Sequence, residues 1–130
     1  MPQDMSIRGK LAGLRVLLVE DNHMVAEVIS ETLSDHGCEV LGPAATLSDG
    51  FVLARENRFD GALLDVNLRG GYCFPIAELL IERRIPMILL TGYTDEAIIP
   101  AHLREIRRMN KPIHFKNLIL LMQQLFITVY

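Results

Sequence analysis

Short apolar runs alternate with longer stretches of helical spacing along nearly the whole chain, and this alternation constrains the fold more than any single residue does. Arg15-Val16-Leu17-Leu18-Val19 reads as a buried strand that ends in the acidic Glu20-Asp21, since a short apolar run bounded by polar residues fits a strand covered on both faces. Val25, Val28, Ile29 and Leu33 then recur at helical spacing and mark the buried face of a helix that stops near Gly37. Cys38 to Leu41 reads as a second strand, followed by a turn at Gly42-Pro43. The stretch from Thr46 to Arg58 opens with Thr-x-x-Asp, in which the Thr hydroxyl can satisfy an unpaired amide of the first turn. It carries Leu47, Phe51, Leu53 and Ala54 along a helix.

The pattern repeats in the second half. Gly61 to Asp65 is the third strand, and a helix from about Tyr72 to Arg84 follows, with Pro75 in its first turn where no amide hydrogen is needed. Pro86 to Thr91 is the fourth strand; Thr94 to Leu103 reads as a short helix interrupted or started late by Pro100. Ile106 to Asn110 is a less apolar fifth strand closed by Lys111-Pro112, and a last helix from about Phe115 to Val129 buries Leu118, Leu121, Met122 and Leu125. Strands that alternate with helices form a parallel sheet with helices on both faces. Right-handed crossovers leave few strand orders. The expected class is therefore α/β, a doubly wound flavodoxin-like (βα)5 fold with a five-stranded parallel sheet in the order 2-1-3-4-5. A chain of 130 residues has room for one such domain, assigned to residues 14–130, and residues 1–13 read as a flexible lead-in.

Composition narrows the function. Thirteen basic against sixteen acidic residues give a formal charge of −3, which argues against nucleic acid or an anionic membrane as the partner. Cys38 and Cys73 stand alone, without further Cys or His at metal spacing, so neither a disulfide framework nor a zinc site is indicated. The polar N-terminus lacks the apolar core of a signal peptide, and the longest apolar runs fall far below the roughly 20 residues that span a bilayer. A cytoplasmic location follows as the expectation.

The polar residues fall at strand ends. In the expected order the first and third strands are neighbours, so Glu20, Asp21 and Asp65 meet at one sheet edge, where ligands of open α/β sheets bind. Carboxylates about 4 Å apart repel by roughly 4 kcal/mol per pair at an effective dielectric of 20, so a counter-ion is required. An all-oxygen set suits a hard divalent cation, Mg²⁺ or Mn²⁺. Thr91 ends the fourth strand and Lys111 follows the fifth. A cation, a carboxylate nucleophile, a hydroxyl and an ammonium together are the parts that phosphoryl transfer to Asp65 needs, with Lys111 balancing charge and Thr91 binding the new phosphate.

These pieces, Val16-Leu17-Leu18-Val19-Glu20-Asp21, Leu63-Leu64-Asp65-Val66-Asn67-Leu68, Leu89-Leu90-Thr91-Gly92 and Lys111-Pro112, resemble the receiver domain of two-component response regulators over residues 14–129. The resemblance implies that Asp65 accepts a phosphoryl group from a sensor histidine kinase or phosphotransfer protein. It also implies a metal held by Asp21, Asp65 and the Asn67 carbonyl with Glu20 acting through water, and a Lys111-Pro112 bond that is commonly cis. Pro86, Thr91, Gly92 and Tyr93 further resemble a stand-alone subfamily whose fourth strand reads Pro-Phe-x-Phe-Ala-Thr-Gly-Tyr or -Gly, although Leu89-Leu90 replace Phe-Ala here. No output domain is expected, so the implied output is altered binding of a downstream protein. The alternative is a phosphorylation-independent interaction or scaffold protein.

Arg108 stands three residues before Lys111, where most receivers place an aromatic switch residue, so the usual aromatic coupling does not carry over. Tyr93 is a candidate substitute reporter, set against a ring that merely covers the short fourth helix. Arg69 is a candidate phosphoryl contact, set against a solvated loop Arg; His23 has no role in an oxygen-rich site. An Asp-nucleophile hydrolase is disfavoured because Asn67 stands where such enzymes place a second acid. Ile98, Ile99 and Leu103, with Ile119, Leu120, Phe126, Ile127 and Tyr130, spread apolar surface along the fourth helix, fifth strand and last helix, which predicts a partner or homodimer face there.

Overall fold

The computed structural model describes residues 10–127. Most of the expected lead-in and the last residues of the expected terminal helix lie outside them. A five-stranded parallel sheet runs in the order β2-β1-β3-β6-β7, formed by β1 (Arg15–Val19), β2 (Glu39–Ala44), β3 (Gly61–Asp65), β6 (Met87–Thr91) and β7 (Arg108–Asn110). Taken in chain order, the five sheet strands are arranged 2-1-3-4-5, as expected. Helices α1 (His23–Asp35) and α4 (Phe115–Phe126) pack on one face, and α2 (Leu47–Glu56) and α3 (Phe74–Glu82) on the other.

Strand alternation divides the core. Leu17, Val19, Ala62, Leu64 and Leu89 point to the α2–α3 side, while Val16, Leu18, Leu63, Ile88 and Leu90 point to the α1–α4 side. Leu11, placed in the lead-in by the sequence reading, is fully buried in the second layer, and the Gly13 amide donates to Gly37 O at 2.9 Å. Helix starts follow local chemistry. Asn22 Oδ1 accepts from the Val25 amide at 3.0 Å, and Thr46 Oγ1 accepts from the Asp49 amide at 3.1 Å, as the Thr-x-x-Asp pattern predicts.

Several elements differ from the expectation for identifiable reasons. The second strand does not turn at Gly42-Pro43 but continues to Ala44. Proline is tolerated because β2 is an edge strand. Gly42, at φ 103°, is required because a Cβ there would lie 2.7 Å from Leu18 O. Between β3 and α3 an unforeseen hairpin pairs β4 (Asn67–Leu68) with β5 (Gly71–Tyr72), turning through Gly70 and Gly71 at positive φ, so α3 begins at Phe74 and not at Tyr72.

The expected short fourth helix is absent. Asp95–Ile98 and Ala101–Leu103 form separate 3₁₀ turns, with Ile99 extended before Pro100, because proline disfavours helical backbone at the preceding residue. Ile99 and Leu103 are core residues, as are Ile119 and Phe126, which removes half of the apolar face predicted there; Ile98 and Leu120 stay exposed, and Tyr130 lies outside the described residues. Phe126 lies across Gly61, where a Cβ would meet its ring at 2.5 Å. The α1 stripe is also narrower than the spacing suggests, since Val28 is 46% exposed. No helix among the described residues is long and apolar enough to cross a membrane.

Candidate functional site

Parallel strands bring their C-terminal ends to one edge. There β1 is followed by Glu20 and Asp21, β3 and β6 end in Asp65 and Thr91, and Lys111 follows β7. One carboxylate oxygen each from Glu20, Asp21 and Asp65 falls within 4.8 Å of the others. The cleft above them encloses about 410 Å³ and is lined by Asp21, Asp65, Asn67, Tyr93, Asp95 and Lys111 among others. Of the sequence-predicted set, Asp21, Asp65, Asn67 and Lys111 line this cleft and Glu20 lies beside Asp21 and Asp65, whereas Thr91 ends the neighbouring strand and does not line the cleft.

Lys111 bridges the two most buried acids. Its Nζ lies 3.1 Å from Asp65 Oδ2 and 3.0 Å from Glu20 Oε1. The contact with Glu20 Oε1 is ionic only, at an angle that makes no hydrogen bond; the Glu20 hydrogen bond is to Oε2 at 3.3 Å. Glu20 Oε2 also accepts from the Asn22 amide at 3.0 Å. The backbone places the lysine, because the Lys111 amide donates to Thr91 O at 2.8 Å; the Lys111-Pro112 peptide is cis.

Burial pushes the Asp65 carboxyl up to about 7, helped by the charge of Glu20 and a hydrogen bond with it, and opposed by Lys111. Burial alone would lower the Lys111 ammonium, but the hydrogen bond to Glu20 and the charges of Asp65 and Glu20 outweigh that and hold it above its ordinary value. Three carboxylates against one ammonium leave a formal charge of −2, which a divalent cation cancels. The Asp21 carboxylate makes no hydrogen bond or ion pair among the described residues although it lines the cleft. An oxygen-only donor set with one unpartnered carboxylate fits Mg²⁺ or Mn²⁺.

Residues 16–123 match the family described as the response regulator receiver domain. The chain belongs to this family. The non-phosphorylated HemR receiver domain of Leptospira biflexa superposes with a TM-score of 0.75 at 28% identity, covering 90% of this chain and 97% of that one. The receiver domain of the sensor histidine kinase PA1611 of Pseudomonas aeruginosa, solved with a magnesium ion coordinated in its active-site cleft, gives 0.70 at 27% identity, covering 87% and 97%. A response regulator receiver protein of Anaeromyxobacter sp. is 38% identical over 92 residues, 65% of this chain and 36% of its own length. The receiver spans between 23% and 42% of the curated relatives it matches.

The remaining sequence candidates fall outside the centre. His23 is exposed and lies 3.9 Å from Glu27. Arg69 does not line the cleft; its carbonyl accepts from the Leu47 amide at 2.9 Å and ties the hairpin to α2. Tyr93 covers no helix and stands fully exposed at the cleft rim. Arg108 is engaged with the segment after β6, with Nε donating to Glu96 Oε2 at 2.6 Å and Nη1 to Arg104 O at 2.9 Å.

Two residues of this receiver's site escaped the sequence reading. Asp95 is buried and its Oδ2 accepts from the Gly92 amide at 2.6 Å, fixing the loop after Thr91. Asn110 Oδ1 accepts from Thr91 Oγ1 at 2.6 Å. The only signal for Asp95 was an acid three residues after a Gly; for Asn110 there was none beyond its place before Lys111.

Proposed function

We propose that this receiver accepts a phosphoryl group on Asp65 from a phosphohistidine of a sensor kinase or phosphotransfer protein and signals by changing what it binds. The observation that carries this reading is the buried carboxylate of Asp65 set between Glu20, Asp21 and the Lys111 ammonium at the open end of the sheet. An Asp65 carboxylate oxygen attacks phosphorus, the phosphorus–nitrogen bond to the donor imidazole breaks, and the imidazole leaves with the bonding electron pair. Lys111 balances charge on the phosphoryl oxygens, and the Thr91 hydroxyl donates a hydrogen bond to one of them. A Mg²⁺ or Mn²⁺ held by Asp21, Asp65 and the Asn67 carbonyl, with Glu20 acting through water, supplies charge neutralisation when bound. Asn67 offers no acid to hydrolyse the acyl phosphate, in keeping with a signalling domain whose own chemistry is limited to taking up the group and slowly losing it.

The donor protein has an apolar surface to meet beside the site. Met24, Val25 and Val28 of α1 with Pro112, Ile113 and Phe115 line a groove of about 300 Å³ that adjoins Lys111, and Met24 is 78% exposed. On this reading the receiver works in the cytoplasm. Incubation with Mg²⁺ and a small acyl phosphate, read by intact mass, tests phosphorylation. A gain of one phosphoryl group that disappears in Asp65→Asn is expected. No gain, or a gain that survives the substitution, refutes the reading.

The Arg108–Glu96 ion pair favours a second reading, a phosphorylation-independent interaction protein, because it fixes the strand where receivers carry an aromatic switch. Capture of the same cellular partners by the phosphorylated wild type and by Asp65→Asn would support that alternative.

A further inference from the structure

We propose that Asn110 is a positioning residue that holds the Thr91 hydroxyl away from the phosphoryl position and thereby sets how tightly this receiver keeps a phosphoryl group. The inference rests on the phosphoacceptor reading of Asp65 and deepens it. Thr91 is fully buried at the end of β6, and the register of β6 against β7 places Asn110 as its direct partner. Thr91 Oγ1 lies 2.6 Å from Asn110 Oδ1 but 3.3 Å from the alternative acceptor, Met109 O, so the Asn side chain is the holder.

A hydroxyl carries a single proton and can donate it well to one acceptor at a time. The proton that a phosphoryl oxygen on Asp65 needs is therefore already committed in the unphosphorylated protein. Taking up the group exchanges a neutral hydrogen bond for a charge-assisted one and releases the Asn110 amide, which belongs to an exposed residue. The release falls on a short strand with three separate tethers. Lys111 reaches from its end to Asp65, Asn110 holds Thr91, and Arg108 holds Glu96 of the 3₁₀ segment. Loss of the middle tether changes the hydrogen-bonding surface of β7 without an aromatic ring having to move.

Beryllium trifluoride, which adds to a carboxylate as a tetrahedral mimic of an acyl phosphate, provides the test on the full chain with Mg²⁺. Titration followed by amide NMR should show Asn110→Ala binding roughly fivefold to tenfold tighter than wild type, the effect of one competing neutral hydrogen bond. Thr91→Ala should bind more weakly, and adding Asn110→Ala to it should change nothing further. In the unliganded protein the Thr91 hydroxyl proton should be protected from exchange in wild type and unprotected in Asn110→Ala. Wild-type affinity in Asn110→Ala, or equal tightening in the Thr91→Ala background, overturns the role of Asn110 while leaving Asp65 as acceptor. Failure of wild type to bind the mimic any better than Asp65→Asn overturns the acceptor reading and this inference with it.

Discussion

Replacing Asp65 by Asn is expected to stabilise the chelator-treated protein above neutral pH, and the structure supplies both the sign and a ceiling. In the folded, metal-free state burial and Glu20 raise the Asp65 carboxyl from its ordinary 3.8 to about 7. Between those two pH values the folded chain binds more protons at this site than the unfolded chain, so its stability falls as pH rises. The stability associated with a protonated Asp65 is fully present below about 4 and is lost as pH passes through about 7. Each tenfold change in a proton equilibrium is worth about 1.4 kcal/mol, so the rise sets a ceiling of about 4 kcal/mol above pH 8. Asp65 is 3% exposed, but the cleft above it is open and water entering it screens the charge, so a difference of about 2 kcal/mol is expected. Asn keeps the shape and the hydrogen-bond acceptor for Lys111 but cannot ionise.

Urea unfolding of both proteins in a chelator, at intervals from pH 4.5 to 8.5, measures this directly. The variant should gain on wild type steadily through that window and then hold its lead. Mg²⁺ at 100 times its dissociation constant should stabilise wild type by about 2.7 kcal/mol and leave the variant nearly unmoved. A gap that does not vary with pH, or a wild type that stays the more stable at pH 8 without metal, would refute the electrostatic account of the site.

Three further outcomes follow from the packing. Gly61→Ala should destabilise the fold by about 1 to 3 kcal/mol, because its Cβ meets the Phe126 ring, and the penalty should vanish in a Phe126→Ala background when both are compared by chemical denaturation. Thr46→Ala should cost about 1 kcal/mol through loss of the α2 cap, read as a shift in the urea midpoint. Burial pushes the Cys38 thiol up to about 11 and the Cys73 thiol up to about 12, the latter also raised by the charge of Asp65. Thiol-reactive reagents at pH 8 should accordingly label the unfolded chain fully and the native protein slowly.

The sheet order was legible because the three central strands β1, β3 and β6 are apolar runs buried on both faces, and such runs carry no competing helical signal. What could not be read were features decided by contacts remote in sequence. Gly42-Pro43 has the local signature of a turn, yet the pairing of Ala44 with Val19 draws it into an edge strand. The run of apolar residues from Ile98 to Leu103 suggested an exposed helical face, yet Pro100 splits the segment and folds Ile99 and Leu103 into the core. Val28 shows the opposite error. Helical spacing marks the direction of a stripe but not its width, and this residue lies at the margin, where it borders the groove formed with Ile113 and Phe115.

The same division runs through the site. Glu20, Asp21, Asp65, Thr91 and Lys111 could be assembled from sequence because each sits at, or directly after, the end of a strand, and topology alone then brings strand ends together. Asn110 could not, because its significance depends on which face of β7 it occupies and on register with β6, and both are fixed by pairing that leaves no mark on the chain. Arg108 is the intermediate case. Its departure from the aromatic pattern was visible, and only the structure shows what the guanidinium does instead, holding Glu96 and the Arg104 carbonyl across the 3₁₀ segment. An aromatic switch can move between two packed positions, whereas a guanidinium with three partners at hydrogen-bond distance has one well-defined place. If Asp65 accepts a phosphoryl group as proposed, readout in this receiver is therefore better sought at the Thr91–Asn110 contact, where one proton then has two alternative acceptors, than at Arg108.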